Sequence, residues 1–524
     1  MTAGGNAAMK RLALALAVPI LLVILPIALR PSGDWSPAAQ ERLVIITPNS
    51  EQIKYEFEQA FREWYKEHRG RDVMIDWRSP GGTSDIVRYI NDRFEAEFRL
   101  YALQKGMEWN KETAAAFKDS KLTEDDDPAR KLFLESELGI GIDLFFGGGT
   151  YDQSKFASMG YAVDAGVKER HPDWLTNEVI PMNFAGEQIY DPQGRYYGYC
   201  LSSFGIAYNF QRVRELGIEP PQNWIDLTAP GFFGTLVLAD PTKSGSITKC
   251  YEMIIQQAMA ELGPQQGWLE GFRRVKLLTA NARSIADSAG KVVRDVSSGE
   301  AAAGICIDFY GFSEADWSRQ TAGAPTMTYV MPRGGTAVTA DPVQLLRGAP
   351  NPEAAKDFID FLLSKEGAKI WLQKPGTPGG PVRYAQLRPT VRKDSPREIP
   401  AECQSIPDYR PYDLGGTFEY KSAWTGRYFS LIRVLIKCIA LDPEDDLRAA
   451  WKAILDNGGP DANPDAMAEL LALPVPYESA SDESNCLYGT PAEAAAARTR
   501  WTETARASYL RAARLAREKG GRAE

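Results

Sequence analysis

Between residues 42 and 161 a β-prone apolar run three times ends in a small polar turn, and an amphipathic helix follows. The runs are "RLVIITPNS" (42–50), "DVMIDW" (72–77) leading into "RSPGGTSDIVRYI", and "GIDLFFGGGTYD" (141–152). Ile53, Phe57, Phe61 and Trp64 make one stripe after the first turn, and Ile86, Ile90 and Phe94 make another after the second. Phe156, Met159 and Tyr161 suggest a helix after the third. Alternation of this kind predicts an α/β layer with a largely parallel sheet. In open α/β sheets ligands bind outside the carboxyl ends of strands. The first N–H groups of a helix have no partner inside it and carry partial positive charge. Gly81, Gly82, Thr83 and Ser84 leave those donors reachable, where a bulky side chain would cover them. One such junction is an ordinary turn with an N-cap; three in succession predict a site.

The device recurs further along. "YYGYCLSSFGIAYNF" (196–210) is long and β-prone, and "GTLVLAD" runs into Pro-Thr-Lys-Ser-Gly-Ser (241–246) before another helix. "AAAGICIDFYGF" (301–312) reads as a strand ending in Asp308 and Tyr310. "TYVMPRGGTAVTADPVQLLRGAPNPEAAKDFIDFLLSKEGAKIWL" adds a strand, a loop and two helices. Residues 93–139, with "TEDDDPAR", read as a helical surface insertion with an acidic loop. Residues 373–412 are rich in Pro and Arg and read as irregular. Helical patterns return in "YFSLIRVLIKCIAL", "LRAAWKAILDNGG" and a terminal stretch from about 491 to 519. The arginines of that stretch (Arg498, Arg500, Arg506, Arg511, Arg514, Arg517) read as a solvated helix face.

At 524 residues the chain exceeds one ordinary core, so two domains are expected. A net charge of -9 argues against a general nucleic-acid binder. Lys10 and Arg11 precede eighteen uncharged apolar residues, 12–29, with no A-x-A motif and no cysteine just after them. Residues 1–30 are therefore expected to be a membrane anchor or signal segment that places the body in the periplasm or on the extracytoplasmic face. The six cysteines include no C-x-x-C pair, so zinc and redox chemistry are not indicated. No H-E-x-x-H, G-x-S-x-G, Walker or dinucleotide fingerprint is present. With only His68 and His171 to serve as imidazole bases, catalysis is not expected.

"GGTSDIVRYI", "IDLFFGGG", "YGYCLSSFGIAYN", "GTLVLADPTKSGS", "GICIDFYG" and "NPEAAKDFIDFLLSKEGAKIW" together resemble the substrate-binding proteins of ABC importers, in the branch grouped with ferric-iron binding proteins. The likeness runs over residues 42–392. It implies a type II periplasmic binding protein fold, with lobe 1 at 42–205 plus 335–400 and lobe 2 at 206–334. Residues 401–524 would be a mostly helical extension packing on the lobes. The strand ending near Tyr208 would cross between lobes, and the stretch from Pro332 to Pro342 would return. The implied partners are a small ligand held between the lobes, an ABC permease in the inner membrane, and the membrane itself through the N-terminal segment. The protein would act as a monomer with no cofactor and no nucleic acid.

Ferric-iron members bind their metal through paired tyrosines with a His and a carboxylate. Here "IDFYGF" supplies Tyr310 without an adjacent second tyrosine, and the first and third turns supply Asn49, Ser50 and Gly147–Gly149. The resemblance and the small polar turns together favour an organic anion, such as a sugar phosphate, phosphonate or carboxylate. The candidate ligand-binding residues are Ser50, Gly81, Gly82, Thr83, Ser84, Gly148, Gly149, Thr150, Ser202, Ser203, Ser244, Gly245, Ser246, Asp308 and Tyr310. Asp85 would repel an anion if it faced the cleft, so a zwitterion or polyamine stays open. Iron held through Tyr310 remains an alternative, as does a membrane-anchored sensory or scaffold protein using the same fold.

Overall fold

The structure, a computed structural model, describes residues 41–123 and 125–520; the apolar run at 12–29 lies outside the described residues. Among the described residues no helix is long and apolar enough to cross a membrane. The strands are β1 (Glu41–Ile46), β2 (Val73–Arg78), β3 (Leu144–Phe146), β4 (Ala162–Val163), β5 (Asn183–Phe184), β6 (Glu187–Gln188), β7 (Tyr197–Asn209), β8 (Leu236–Ala239), β9 (Ala282–Ala286), β10 (Ala303–Ile307), β11 (Met327–Val330) and β12 (Val338–Leu346). Apart from the β5–β6 ribbon they form one path, β2-β1-β3-β12-β7-β10-β8-β9, with β4 on β12 and β11 on β7. β7 makes this path two-lobed. Its residues Tyr197 to Ser203 pair with β12, whereas Phe204 to Tyr208 pair with β10 and Ile206 to Asn209 with β11. All thirteen residues of β7 are buried, as a strand shared by two sheets requires. The return strand β12 slips register between Asp341 and Pro342, where the proline cannot donate to the ladder.

In lobe 1 the period-two alternation of β1 feeds two cores. Leu43 and Ile45 face the core with Phe57, Phe61, Phe358 and Trp371, while Val44 and Ile46 face the one with Ile86, Phe94 and Phe98. The helix after β2 runs Thr83–Gln104, with Ile86, Ile90, Phe94, Phe98 and Ala102 buried at spacings of four. The first part of the expected helical insertion, residues 93–104, continues that helix. The insertion is also more than a surface feature. Its helices Lys111–Lys118 and Pro128–Leu134 put Phe117 and Phe133 into the second core, with Phe117 stacked on Phe98 at 4.7 Å. Arg130, 2 % exposed, spends its donors on the carbonyls of Phe117, Leu122, Ser158 and Met159.

The Pro- and Arg-rich segment expected to be irregular is ordered by specific anchors. Buried Glu56 accepts from the N–H groups of Val382, Arg383 and Tyr384, and Leu201 N–H donates to Pro389 O. The carboxyl-terminal extension shares one core with lobe 2, in which Trp268 and Phe272 lie with Trp451, Trp501 and Tyr509. Trp451 Nε1 donates to Asn281 Oδ1 and Trp268 Nε1 to Val475 O, both at 2.9 Å. The final helix, Pro491–Gly520, buries Ala497, Trp501, Ala505, Tyr509, Ala512 and Ala516 along one stripe.

Candidate functional site

The three strand-to-helix turns of lobe 1 converge. A Cβ on Gly147 would lie 3.0 Å from Asn49 Nδ2, and one on Gly148 would lie 3.1 Å from the Thr83 methyl and the Phe145 ring. Gly148 has φ +82°, so a left-handed turn lets the third tip approach the second. Ser50 caps the helix Glu51–Arg69, accepting from Ile53 N–H at 3.4 Å, and is itself exposed. Gly149 sits at the cap of Thr150–Met159 with no side chain over it.

The second turn holds a surprise. Gly82 N–H donates to Asp85 Oδ2 at 3.2 Å, so the carboxylate folds back over the start of its own helix. A Cβ on Gly81 would stand 2.3 Å from that oxygen. The bare Gly81–Gly82 backbone therefore accommodates Asp85 first, while Gly81, Gly82 and Ser84 are exposed and Thr83 is half-buried.

A second group lies where β7 changes lobes. Asp308 and Tyr310 fall in the first turn of the helix Asp308–Ala322, rather than at the end of a strand as the sequence suggested. Asp308 accepts from Ser203 N–H at 2.8 Å, Phe309 N–H at 2.7 Å and Tyr409 Oη at 2.8 Å. Burial pushes its carboxyl up to about 6, with the Arg388 charge opposing that rise. Ser202 and Ser203 are fully buried and committed to protein partners. Ser202 Oγ accepts from Arg388 Nη2 at 2.6 Å, and Ser203 Oγ meets Tyr329 Oη at 2.7 Å and Tyr409 Oη at 2.5 Å.

Arg388 is the centre of this group, and no periodic pattern in the sequence marks it. Its Nη2 also donates to Asp341 Oδ2 at 2.6 Å. Its guanidinium lies 4.6 Å from the Phe309 ring centre and 5.7 Å from that of Trp371. Burial works against the charge, but Asp341 and its neighbours hold the group fully protonated. The Nε donor is buried without an acceptor. Tyr310, half-buried and packed on Phe309 with ring centres 4.3 Å apart, has its phenol pushed up by burial, an effect Arg388 opposes. Trp371 stacks on Tyr199 at 5.3 Å, and Asn49 Nδ2 donates to Tyr199 Oη at 3.4 Å. Asn49, Tyr199 and Trp371 thus connect the lobe 1 tips to Arg388. Asp341, a charge inside an apolar strand run, was the one legible hint of a buried cation nearby.

On lobe 2, Ser244 caps the helix Gly245–Leu262 through Ile247 N–H, and its hydroxyl lies 3.1 Å from that of Ser246. Gly245 is exposed there, with nothing within 4 Å of where its Cβ would be. Among the described residues no cluster of three or more His, Cys, Asp or Glu side chains is arranged to hold a metal ion.

Residues 141–401 match the model of a family described as bacterial extracellular solute-binding protein. An uncharacterized protein of Haemophilus influenzae is 31% identical over 238 residues, 44% of this chain and 61% of that protein. The phosphoglycerate transport regulatory protein PgtC of Salmonella typhimurium is 25% identical over 279 residues, 49% of this chain and 66% of that protein. The chain thus spans just under two thirds of the length of these curated relatives. Among solved structures, the periplasmic binding protein AfuA of Actinobacillus pleuropneumoniae, with fructose-6-phosphate bound, is 22% identical with a TM-score of 0.47, over 79% of this chain and 98% of AfuA. Iron-bound HitA of Pseudomonas aeruginosa is 15% identical with a TM-score of 0.47, over 78% of this chain and 99% of HitA.

Proposed function

We infer that this chain, whose residues 141–401 match the model of the bacterial extracellular solute-binding proteins, captures a small organic anion between its lobes and delivers it to an ABC importer permease. The observation that carries the choice of anion is Arg388, a buried guanidinium with an unfilled Nε donor at the strand crossing. A phosphate or carboxylate can use such a fork where a hard metal ion cannot. Tyr310, whose ring packs on the Phe309 ring that Arg388 also contacts, would donate from its hydroxyl, and the tips around Asn49, Thr83 and Gly148 would offer small polar groups from lobe 1. Ser244, Gly245 and Ser246 would face the ligand from lobe 2. A relative named for phosphoglycerate transport supports a ligand that carries phosphate, carboxylate or both. Lobe closure would follow from contacts made to both halves at once. Residues 12–29 would hold the protein at the inner membrane with its body outside.

One observation favours a second reading, a sensor rather than a carrier. Phe429 of the extension packs on Tyr151 of lobe 1 at 5.8 Å, although the extension shares its core with lobe 2. Lobe movement would then be felt by the extension, and a signalling partner could read it there.

Thermal-shift titration of the purified protein tests the carrier reading with 3-phosphoglycerate, glucose 6-phosphate, methylphosphonate and ferric citrate. Ligand at a hundred times its Kd adds about 2.7 kcal/mol to stability. A shift with the phosphorylated or phosphonate compounds, weakened at least tenfold in Arg388→Lys, is expected. A shift with ferric citrate alone, or none with any compound, overturns the reading.

A further inference from the structure

A cavity of about 620 Å³ is lined, apart from Thr242, by residues of the carboxyl-terminal extension, beyond the stretch that matches the solute-binding family. Two helical faces form its walls. One is the helix Phe429–Ile436 with the wide π-helical turn Lys437–Leu441 that continues it, presenting Arg433, Val434, Lys437 and Cys438. The other is the terminal helix, presenting Arg498, Thr499, Thr502, Glu503 and Arg506 at helical spacing. Thr242, in the turn before Ser244, closes one side. Neither Arg388 nor Asp308 nor Tyr310 reaches it.

Four cations and two carboxylates, Asp442 and Glu503, line the space. Lys437 pairs with Asp442 at 2.8 Å, and Arg506 pairs with Asp446 at 3.4 Å, so both are largely spent. Arg433 and Arg498 make no ion pair among the described residues. Asp152 of lobe 1 acts on Arg433 through space without reaching ion-pair distance. Arg498 is solvent-exposed and Arg433 half-buried, on facing walls, with Thr499 and Thr502 also lining the space, so the two guanidinium groups are open to an anion that could bridge them. The volume is that of a small-molecule site. A π-helical turn in the wall is a local irregularity that often accompanies such sites.

We propose that this cavity is a second binding site, for a small polyanion such as a phosphorylated metabolite or polyphosphate, bridged by Arg433 and Arg498. It is independent of the anion proposed for the inter-lobe cleft. Because the extension is continuous with the core of lobe 2, a ligand here would brace lobe 2.

Calorimetric titration of the whole chain with inorganic pyrophosphate tests it. The expected result is binding that weakens at least tenfold in Arg433→Gln/Arg498→Gln and declines with added salt. Neither arginine is fully buried, so the melting temperature of the double variant should match that of the parent. Absence of pyrophosphate binding, or binding that the double variant retains, overturns the proposal. Binding lost in Arg388→Lys but kept in the double variant also overturns it, and assigns the anion to the cleft alone.

Discussion

The backbone N–H of Ser203 donates to Asp308 Oδ2 at 2.8 Å, tying the strand that crosses between lobes to the first turn of a lobe 2 helix. The same carboxylate also holds Phe309 N–H and the Tyr409 hydroxyl, so one side chain serves donors from three parts of the chain.

Replacing Asp308 with alanine leaves the buried Ser203 N–H without its acceptor, takes one acceptor each from Phe309 N–H and the Tyr409 hydroxyl, and removes a carboxyl that interacts with the Arg388 charge. A loss of roughly 3–5 kcal/mol is expected, as for breaking a buried charged network. Asp308→Asn keeps one acceptor and should lose less. Urea unfolding measures both, and a loss under about 1 kcal/mol for the alanine variant would show that the network is not structural.

Acid should stabilise the protein locally through the same residue. Its carboxyl sits near 6 when folded, raised by burial, and near 3.9 when unfolded. The folded state therefore binds the extra proton between those values, and Asp308's contribution is lost as pH rises through about 6. Melting temperatures of the parent from pH 4 to 7 should fall relative to those of Asp308→Asn. Parallel curves would contradict this.

Gly148 and Gly82 should respond unequally to alanine. Gly148 has φ +82° and would place a methyl 3.1 Å from Thr83 and Phe145, so Gly148→Ala should cost about 1–2 kcal/mol. Gly82 has φ -73° and open space around its Cβ position, so Gly82→Ala should stay within about 0.5 kcal/mol. Equal effects in denaturant unfolding would mean that the tips do not pack as described.

Trp501 lies in the terminal helix yet fills the lobe 2 core, with 1 % of its surface exposed. Trp501→Ala should cost about 3–5 kcal/mol. Hydrogen exchange should quicken in β8 and β10 as well as in the extension, because they share that core. Acceleration confined to residues beyond 401 would show that the two are separate units.

The parts of the fold that repeat a local rule were legible in the sequence. The three lobe 1 turns and the long buried β7 each carry a turn or periodic signal, whereas the return through Pro342 was implied by the family resemblance alone. The helix past Ile90 was also legible, since Phe94, Phe98 and Ala102 continue its stripe, but the surrounding charges masked it. Arg388 was not legible. It sits between prolines in a segment without periodicity, and its partners Asp341 and Ser202 come from strands distant in sequence. Asp308 was found as a residue of interest but misplaced, because an apolar run gives no mark where strand becomes helix. The extension's role in the lobe 2 core was hidden because its apolar stripe named no recipient.

A nascent chain leaves the ribosome amino end first, and the strands of the second lobe emerge long before Trp501 and Tyr509. Until those aromatics arrive, that lobe remains an unfinished body with a raw oily flank. Whatever escorts the growing polypeptide must shelter that flank, and a premature stop past residue 401 would yield an aggregating stub rather than a trimmed, working protein.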